Sequence, residues 1–159
     1  MIEAGKKAPA FSMKNQDGKP VKLADFAGKN VVLYFYPKDD TPGCTTEACE
    51  FRDHDAAFNG RGADVWGVSP QGATSKRAFR QKFDLPFTLL ADEAHLVAEA
   101  YGSWVEKQNY GKTFWGTART TFLVGPDSRI AYVWPKVKAE GHAEAVLAAL
   151  DEIQAAHSS

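Results

Sequence analysis

Val31-Val32-Leu33-Tyr34-Phe35-Tyr36 is an unbroken apolar run of strand-forming residues, and Pro37 ends it. No polar residue alternates along it, so both faces of the strand must be covered, which places it inside a sheet with a packed layer on either side. Proline cannot donate to a ladder, so the strand stops there. The run is far too short to cross a bilayer.

The flanking patterns supply the layers. Phe11-Ser12-Met13 and Val21-Lys22-Leu23 flank Asp17-Gly18, which predicts an N-terminal hairpin. Beyond Pro37 a helix is predicted from about Cys44 to Asn59, with Cys44, Ala48, Phe51 and Phe58 on one stripe. A strand from Asp64 to Ser69 leads to a helix with Ala78, Phe79 and Phe83 inward and Lys76, Arg77, Arg80 and Lys82 on a solvated face. A short strand near Thr88-Leu89-Leu90 and a helical piece from His95 to Tyr101 come next. Strands at Thr120 to Val124 and Ile130 to Trp134 then pair as a hairpin around Pro126-Asp127-Ser128. Ala143, Val146, Leu147, Leu150 and Ile153 mark the inner face of a closing helix. Together these predict an α/β chain with a thioredoxin-like fold, a mixed central sheet flanked by helices and preceded by the hairpin. Phe79, Phe83, Phe87, Trp104 and Trp115 are assigned to the core or a pocket wall.

At 159 residues, without repeat or linker, the chain reads as one domain over residues 1–159. Its 19 basic and 20 acidic residues leave a net charge of -1, which provides no footprint for nucleic acid or an anionic membrane. The start, Met1 to Lys7, lacks the apolar run of a signal peptide, so a cytoplasmic location is expected. Two cysteines make a poor disulfide framework for a chain with an ample core, so the pair points to chemistry instead. His95, His142 and His157 are scattered, expected to be solvated or capping, and Cys44, Cys49 and His54 drift around the helix, so no metal site or other cofactor is expected.

The stretch Pro37-Lys38-Asp39-Asp40-Thr41-Pro42-Gly43-Cys44 leaves a buried strand and enters a helix. Thr41 is a preferred N-cap and Pro42 a preferred first helical residue, which puts Cys44 among amides without intrahelical partners. A thiolate, not a thiol, is the nucleophile. A helix terminus supplies at most about 2 kcal/mol, or roughly 1.5 pKa units, and Asp39, Asp40 and Glu47 oppose it. A cation must therefore arrive from elsewhere in the chain. Arg119, just before Thr120-Thr121-Phe122-Leu123-Val124, is the candidate, because a strand end can point back at a helix N-terminus.

Pro37, Thr41 and Cys44 spell P-x-x-x-T-x-x-C, which resembles the active-site signature of the peroxiredoxins. The C-x-x-x-x-C spacing to Cys49 resembles the Q-type branch, the bacterioferritin comigratory proteins, and the similarity continues through Trp66 to Ser69, Leu85 to Asp92 and Ala118 to Val124. That resemblance implies a thiol-dependent peroxidase that reduces hydrogen peroxide and organic hydroperoxides and works as a monomer. It makes Cys44 the peroxidatic and Cys49 the resolving cysteine, joined as an intramolecular disulfide that thioredoxin or a similar dithiol protein reduces. Thr41 becomes a hydrogen-bonding partner of peroxide and thiolate, Pro37 a shield of the pocket, and Arg119 the group that polarises both reactants. Glu47 falls where the family often orients that arginine. Ser128 departs from the family's usual hairpin glycine, and the Gly-Gly-Leu-Gly and Tyr-Phe motifs of overoxidation-sensitive relatives are absent.

Five residues on an ideal helix separate two Cα atoms by roughly 8.7 Å and about 140° around the axis. A disulfide spans at most about 7 Å between Cα atoms. If both cysteines occupy one helix, bond formation therefore requires its first turns to unwind. Two other readings use the same pair. A thiol-disulfide oxidoreductase is disfavoured, because those enzymes place C-x-x-C at the helix start. A non-catalytic redox sensor or holdase needs the cysteines but not Thr41.

Overall fold

The computed structural model describes residues 1–158, without the side chains of residues 157 and 158, so that of His157 lies outside the described residues. The chain runs β1 (Ser12–Asn15), β2 (Pro20–Lys22), a 3-10 turn (Leu23–Phe26), β3 (Asn30–Phe35), α1 (Pro42–Asp53), α2 (Asp55–Gly60) and β4 (Ala63–Ser69). It continues through α3 (Ala73–Lys82), β5 (Thr88–Ala91), α4 (Leu96–Tyr101), β6 (Trp104–Asn109), β7 (Lys112–Thr117), β8 (Thr120–Val124), β9 (Ile130–Trp134) and α5 (His142–Ser158).

Seven strands form one mixed sheet in the order β2-β1-β5-β4-β3-β8-β9. β3 pairs parallel with β4 and antiparallel with β8, so the apolar run is interior as its composition requires. Its residues alternate between two cores. Val32 and Tyr34 face a layer with Cys44, Ala48 and Phe51 of α1, Phe79 of α3, and Val146 and Leu150 of α5. Val31, Leu33 and Phe35 face Met13, Trp66, and Val97 and Tyr101 of α4. The hairpins at both ends of the chain stand where the residue pattern puts them, and Ser128 occupies the left-handed region, at φ 63°, that the turn demands.

The structure departs from the sequence reading at four places. The helix expected over 44–59 breaks at His54, whose Nδ1 lies 2.8 Å from the Glu50 carbonyl. The His54 amide is consequently shared, at 3.2 Å each, between the carbonyls of Glu50 and Phe51, and the ladder does not pass cleanly through it. In α3 the assignment of faces is wrong for two residues: Ala78 is exposed, and Lys76 is buried because Asp39 meets its ammonium in the interior. His142 is buried as well, its Nε2 2.8 Å from the Thr121 hydroxyl. The β6–β7 hairpin was not anticipated, because its residues are mostly exposed on both faces and carry no alternation; Trp115 on it is 58% exposed and belongs to no core. Its turn is legible in hindsight, since Tyr110 and Gly111 both adopt positive φ, as a two-residue hairpin loop needs.

Phe51 joins α1 to the sheet, fully buried and stacked 4.7 Å from the Tyr34 ring. Phe51→Ala should lower stability by about 3–5 kcal/mol in chemical denaturation, and a loss well under 1 kcal/mol would show that α1 is not anchored through this ring.

Candidate active site

The site lies where β3 runs out. Phe35, its last residue, pairs with Val68 on one side and Thr120 on the other. Because β8 runs antiparallel to β3, the residue entering β8 arrives beside the residues leaving β3. Arg119 is thus carried to the mouth of α1 although it is 75 positions from Cys44.

Thr41 is the N-cap of α1 with an extended backbone, and Pro42 opens the helix. The Thr41 hydroxyl makes no capping bond; it donates to the Lys38 carbonyl at 2.9 Å, closing the loop on itself. The amides of Gly43 and Cys44 therefore keep their hydrogens for another acceptor. Cys44 is buried, Cys49 is half-buried five residues further along the same intact helix, and both thiols are free. Pro37 is half-buried, and its carbonyl accepts from Gln71 Nε2 at 3.3 Å.

Arg119 bridges the Cys44 thiol and a buried carboxyl. Nη2 lies 3.4 Å from Cys44 Sγ, and Nη1 donates to Glu47 Oε1 at 2.8 Å. Gly43 makes this approach possible, since a Cβ there would come within 3.0 Å of Nη2. Glu47 has no exposed side-chain surface, and its second oxygen has no partner. Burial pushes its carboxyl up to about 7, against the pull of Arg119. For Arg119, burial works downward, but Glu47 and Cys44 outweigh it and hold the guanidinium above its ordinary range. The pair is lopsided: the arginine stays charged, while the carboxyl is the member whose charge is precarious.

Asp39 and Asp40, read from the sequence as opposing a thiolate, are each matched by a cation. Asp39 contacts Lys76 and Asp40 contacts Lys82 at 2.8 Å. Sequence reasoning also missed Lys107, on the unforeseen β6. Its ammonium donates to the Thr117 carbonyl at 2.6 Å, and it is lowered by burial and by Arg119, with Cys44 pulling the other way, so it lies within the electrostatic reach of the site. Arg119, Glu47 and Cys44 were named from the sequence and the fold brings them together, whereas Gly43, Lys76 and Lys107 join through contacts between distant segments. Among the described residues no group of three or more His, Cys, Asp or Glu side chains is placed to hold a metal ion, and no helix is long and apolar enough to cross a membrane.

The profile of the AhpC/TSA family matches residues 4–133. The chain is 48% identical over 149 residues to the putative peroxiredoxin bcp of Coxiella burnetii, covering 94% of this chain and 99% of that protein. It is 46% identical over 152 residues to peroxiredoxin Bcp of Bacillus subtilis, covering 96% and 97%. Among solved structures, a peroxiredoxin Q of Xanthomonas campestris superposes with a TM-score of 0.88 at 38% identity, over 94% of this chain and 97% of that one. The bacterioferritin comigratory protein of the same organism, whose structures concern alkyl peroxide reduction, superposes with a TM-score of 0.89 at 37% identity over 99% and 100%.

The raised Glu47 carboxyl ties the integrity of α1 to pH. Its value is about 7 in the intact helix against an ordinary 4.5. Its contribution to holding α1 closed is full below pH 4.5 and is lost as pH rises to about 7, by at most about 3 kcal/mol. Amide exchange across residues 44–50, corrected for intrinsic rates, should lose protection over this window more steeply in wild type than in Glu47→Gln. Equal slopes would contradict the linkage.

Proposed function

From the premise that this chain belongs to the AhpC/TSA family and is a peroxiredoxin of the Bcp type, a thiol-dependent peroxidase, we propose that Cys44 is its peroxidatic cysteine and Cys49 its resolving one. The contact of Arg119 with both Cys44 Sγ and Glu47 carries this reading. A guanidinium at 3.4 Å from a buried sulfur favours the thiolate and has further donors for an incoming oxygen.

The thiolate attacks one peroxide oxygen, which keeps its hydrogen, the O–O bond breaks, and the departing oxygen takes the shared electron pair and then a proton from solvent. Arg119 and the free amides of the first turn stabilise the charge that develops along this line. With its own hydrogen committed to the Lys38 carbonyl, the Thr41 oxygen remains an acceptor that orients the peroxide hydroxyl. Pro37, half-buried at the loop's start, limits water at the sulfur. The product is a Cys44 sulfenic acid.

Cys49 then attacks the Cys44 sulfur and expels water. Both residues lie within Pro42–Asp53, so α1 must open before the sulfurs meet, which also breaks the Arg119 contacts. The exposed disulfide is reduced by a dithiol protein of the thioredoxin kind through exchange. Hydrogen peroxide and organic hydroperoxides are the substrate class, the latter supported by the alkyl peroxide work on the Xanthomonas relative. Cys44, Cys49, Thr41, Arg119 and Pro37 all belong to one chain, which supports a cycle completed within a monomer of a single domain. A net charge of -1 gives no overall attraction for polyanions, which fits a cytoplasmic enzyme without nucleic-acid or membrane partners.

Stopped-flow peroxide consumption coupled to thioredoxin and NADPH tests the assignment. Cys44→Ser should abolish turnover, and Cys49→Ser should complete one turnover and accumulate sulfenic acid. Thr41→Val should slow peroxide attack by about 100-fold, the scale of a lost positioning contact. Sustained thioredoxin-linked turnover in Cys49→Ser would move the resolving role to another thiol source, and an unaffected Thr41→Val would favour a sensor.

A further inference from the structure

Lys76 has no exposed side-chain surface, and Asp39 shows only 2% of its own. Neither touches the reactive sulfur, yet together they organise the segment between β3 and α1. Asp39 Oδ1 accepts from the Tyr36 hydroxyl at 2.5 Å, and Oδ2 accepts from the Ser75 hydroxyl at 2.7 Å. Lys76 Nζ lies 3.3 Å from both oxygens, and it also donates to the Ser69 hydroxyl. Ser69 in turn donates to Gln71 Oε1 at 2.7 Å, an oxygen that also takes the Asp39 amide at 3.0 Å. Gln71 Nε2 donates to the Pro37 carbonyl, so the network closes on the first residue of the loop.

A buried ion pair is a poor source of stability, because the desolvation of both charges offsets their attraction and apolar replacements of similar volume are often as stable. Its value must therefore be sought in what it positions. Every partner of the Asp39 carboxylate comes from the end of β3, the end of β4 or the start of α3, and none from α1. When α1 opens, the loop that carries Thr41 remains fastened.

We infer that Asp39 and Lys76 form a positioning clamp that holds the Pro37-to-Thr41 loop against β4 and α3 throughout the catalytic cycle, so that Thr41 and the first-turn amides return to register each time α1 refolds. This rests on the peroxidase reading above. Both are positioning residues: they act on the peroxide through the loop. The clamp serves attack on peroxide and not disulfide formation, which takes place in the opened segment. Lys76 is held at about 8 by burial against the pull of Asp39, so the ammonium remains mostly charged at neutral pH, as a clamp of this kind requires.

The double variant Asp39→Asn with Lys76→Met removes both charges and leaves no unpaired one. Its unfolding midpoint should return close to wild type, whereas sulfenic acid formation with hydrogen peroxide in single-turnover stopped flow should fall by about tenfold or more. Disulfide formation should stay within about twofold of wild type, since α1 is already open at that step. Ser75→Ala, a milder change on partly exposed α3, should slow only the first step, by about threefold, for the loss of one hydrogen bond to the carboxylate. A wild-type first step in either variant, or proportional slowing of both steps, would overturn the clamp. Alkylation of Cys44 by iodoacetamide in a Cys49→Ser background provides a readout that needs no peroxidase activity. It should slow with the clamp variants even if wild type failed to consume peroxide, which separates the two ideas; alkylation unchanged in them would overturn the clamp.

Discussion

The guanidinium of Arg119, held between Cys44 Sγ and the buried Glu47 carboxyl, is the contact on which the site depends. It exists because β8 is antiparallel to β3, so that the residue entering one strand meets the helix that follows the other. Gly43 leaves room for it, and Glu47 fixes its direction from one turn below the cysteine. To the modest field of the α1 terminus Arg119 adds a full positive charge at hydrogen-bonding distance from the sulfur.

The same arrangement creates a conflict that the protein must resolve in each cycle. On the proposed assignment of Cys44 and Cys49, peroxide attack needs α1 intact, with the amides and Arg119 converging on Cys44. Disulfide formation needs α1 open, because an intact helix holds the two sulfurs apart. The structure divides the labour. The loop before α1 is secured from β4 and α3 by Asp39 and Lys76, while the helix carries in Glu47 a buried carboxyl with an unpartnered oxygen, which weakens its hold on the closed state as pH approaches neutrality. Local opening costs least where buried polar groups are imperfectly satisfied.

Much of this was legible in the residues. The Val31-to-Tyr36 run announces an interior strand, the Thr41-Pro42 pair a helix start, and the 143–153 periodicity a covering helix, because each reflects short-range chemistry or burial on a regular face. What escaped depends on contacts between distant segments. Lys76 sits among arginines and lysines and reads as solvated until Asp39 is brought across to it. Lys107 is partly buried on a hairpin most of whose residues are exposed on both faces, so no alternation marks it. Gly43 looks like an ordinary helix-start residue until Arg119 is placed over it. His54 ends α1 through its own ring, an effect that periodicity does not register.

The central claim is that Arg119 and the first-turn amides hold Cys44 as a thiolate in the resting enzyme. Ultraviolet thiolate absorbance, measured at neutral pH on Cys49→Ser and on the same protein carrying Arg119→Met, tests it directly. The account predicts close to one thiolate equivalent in the first protein and its loss in the second. Absorbance that is absent from the first, or unchanged in the second, would contradict it.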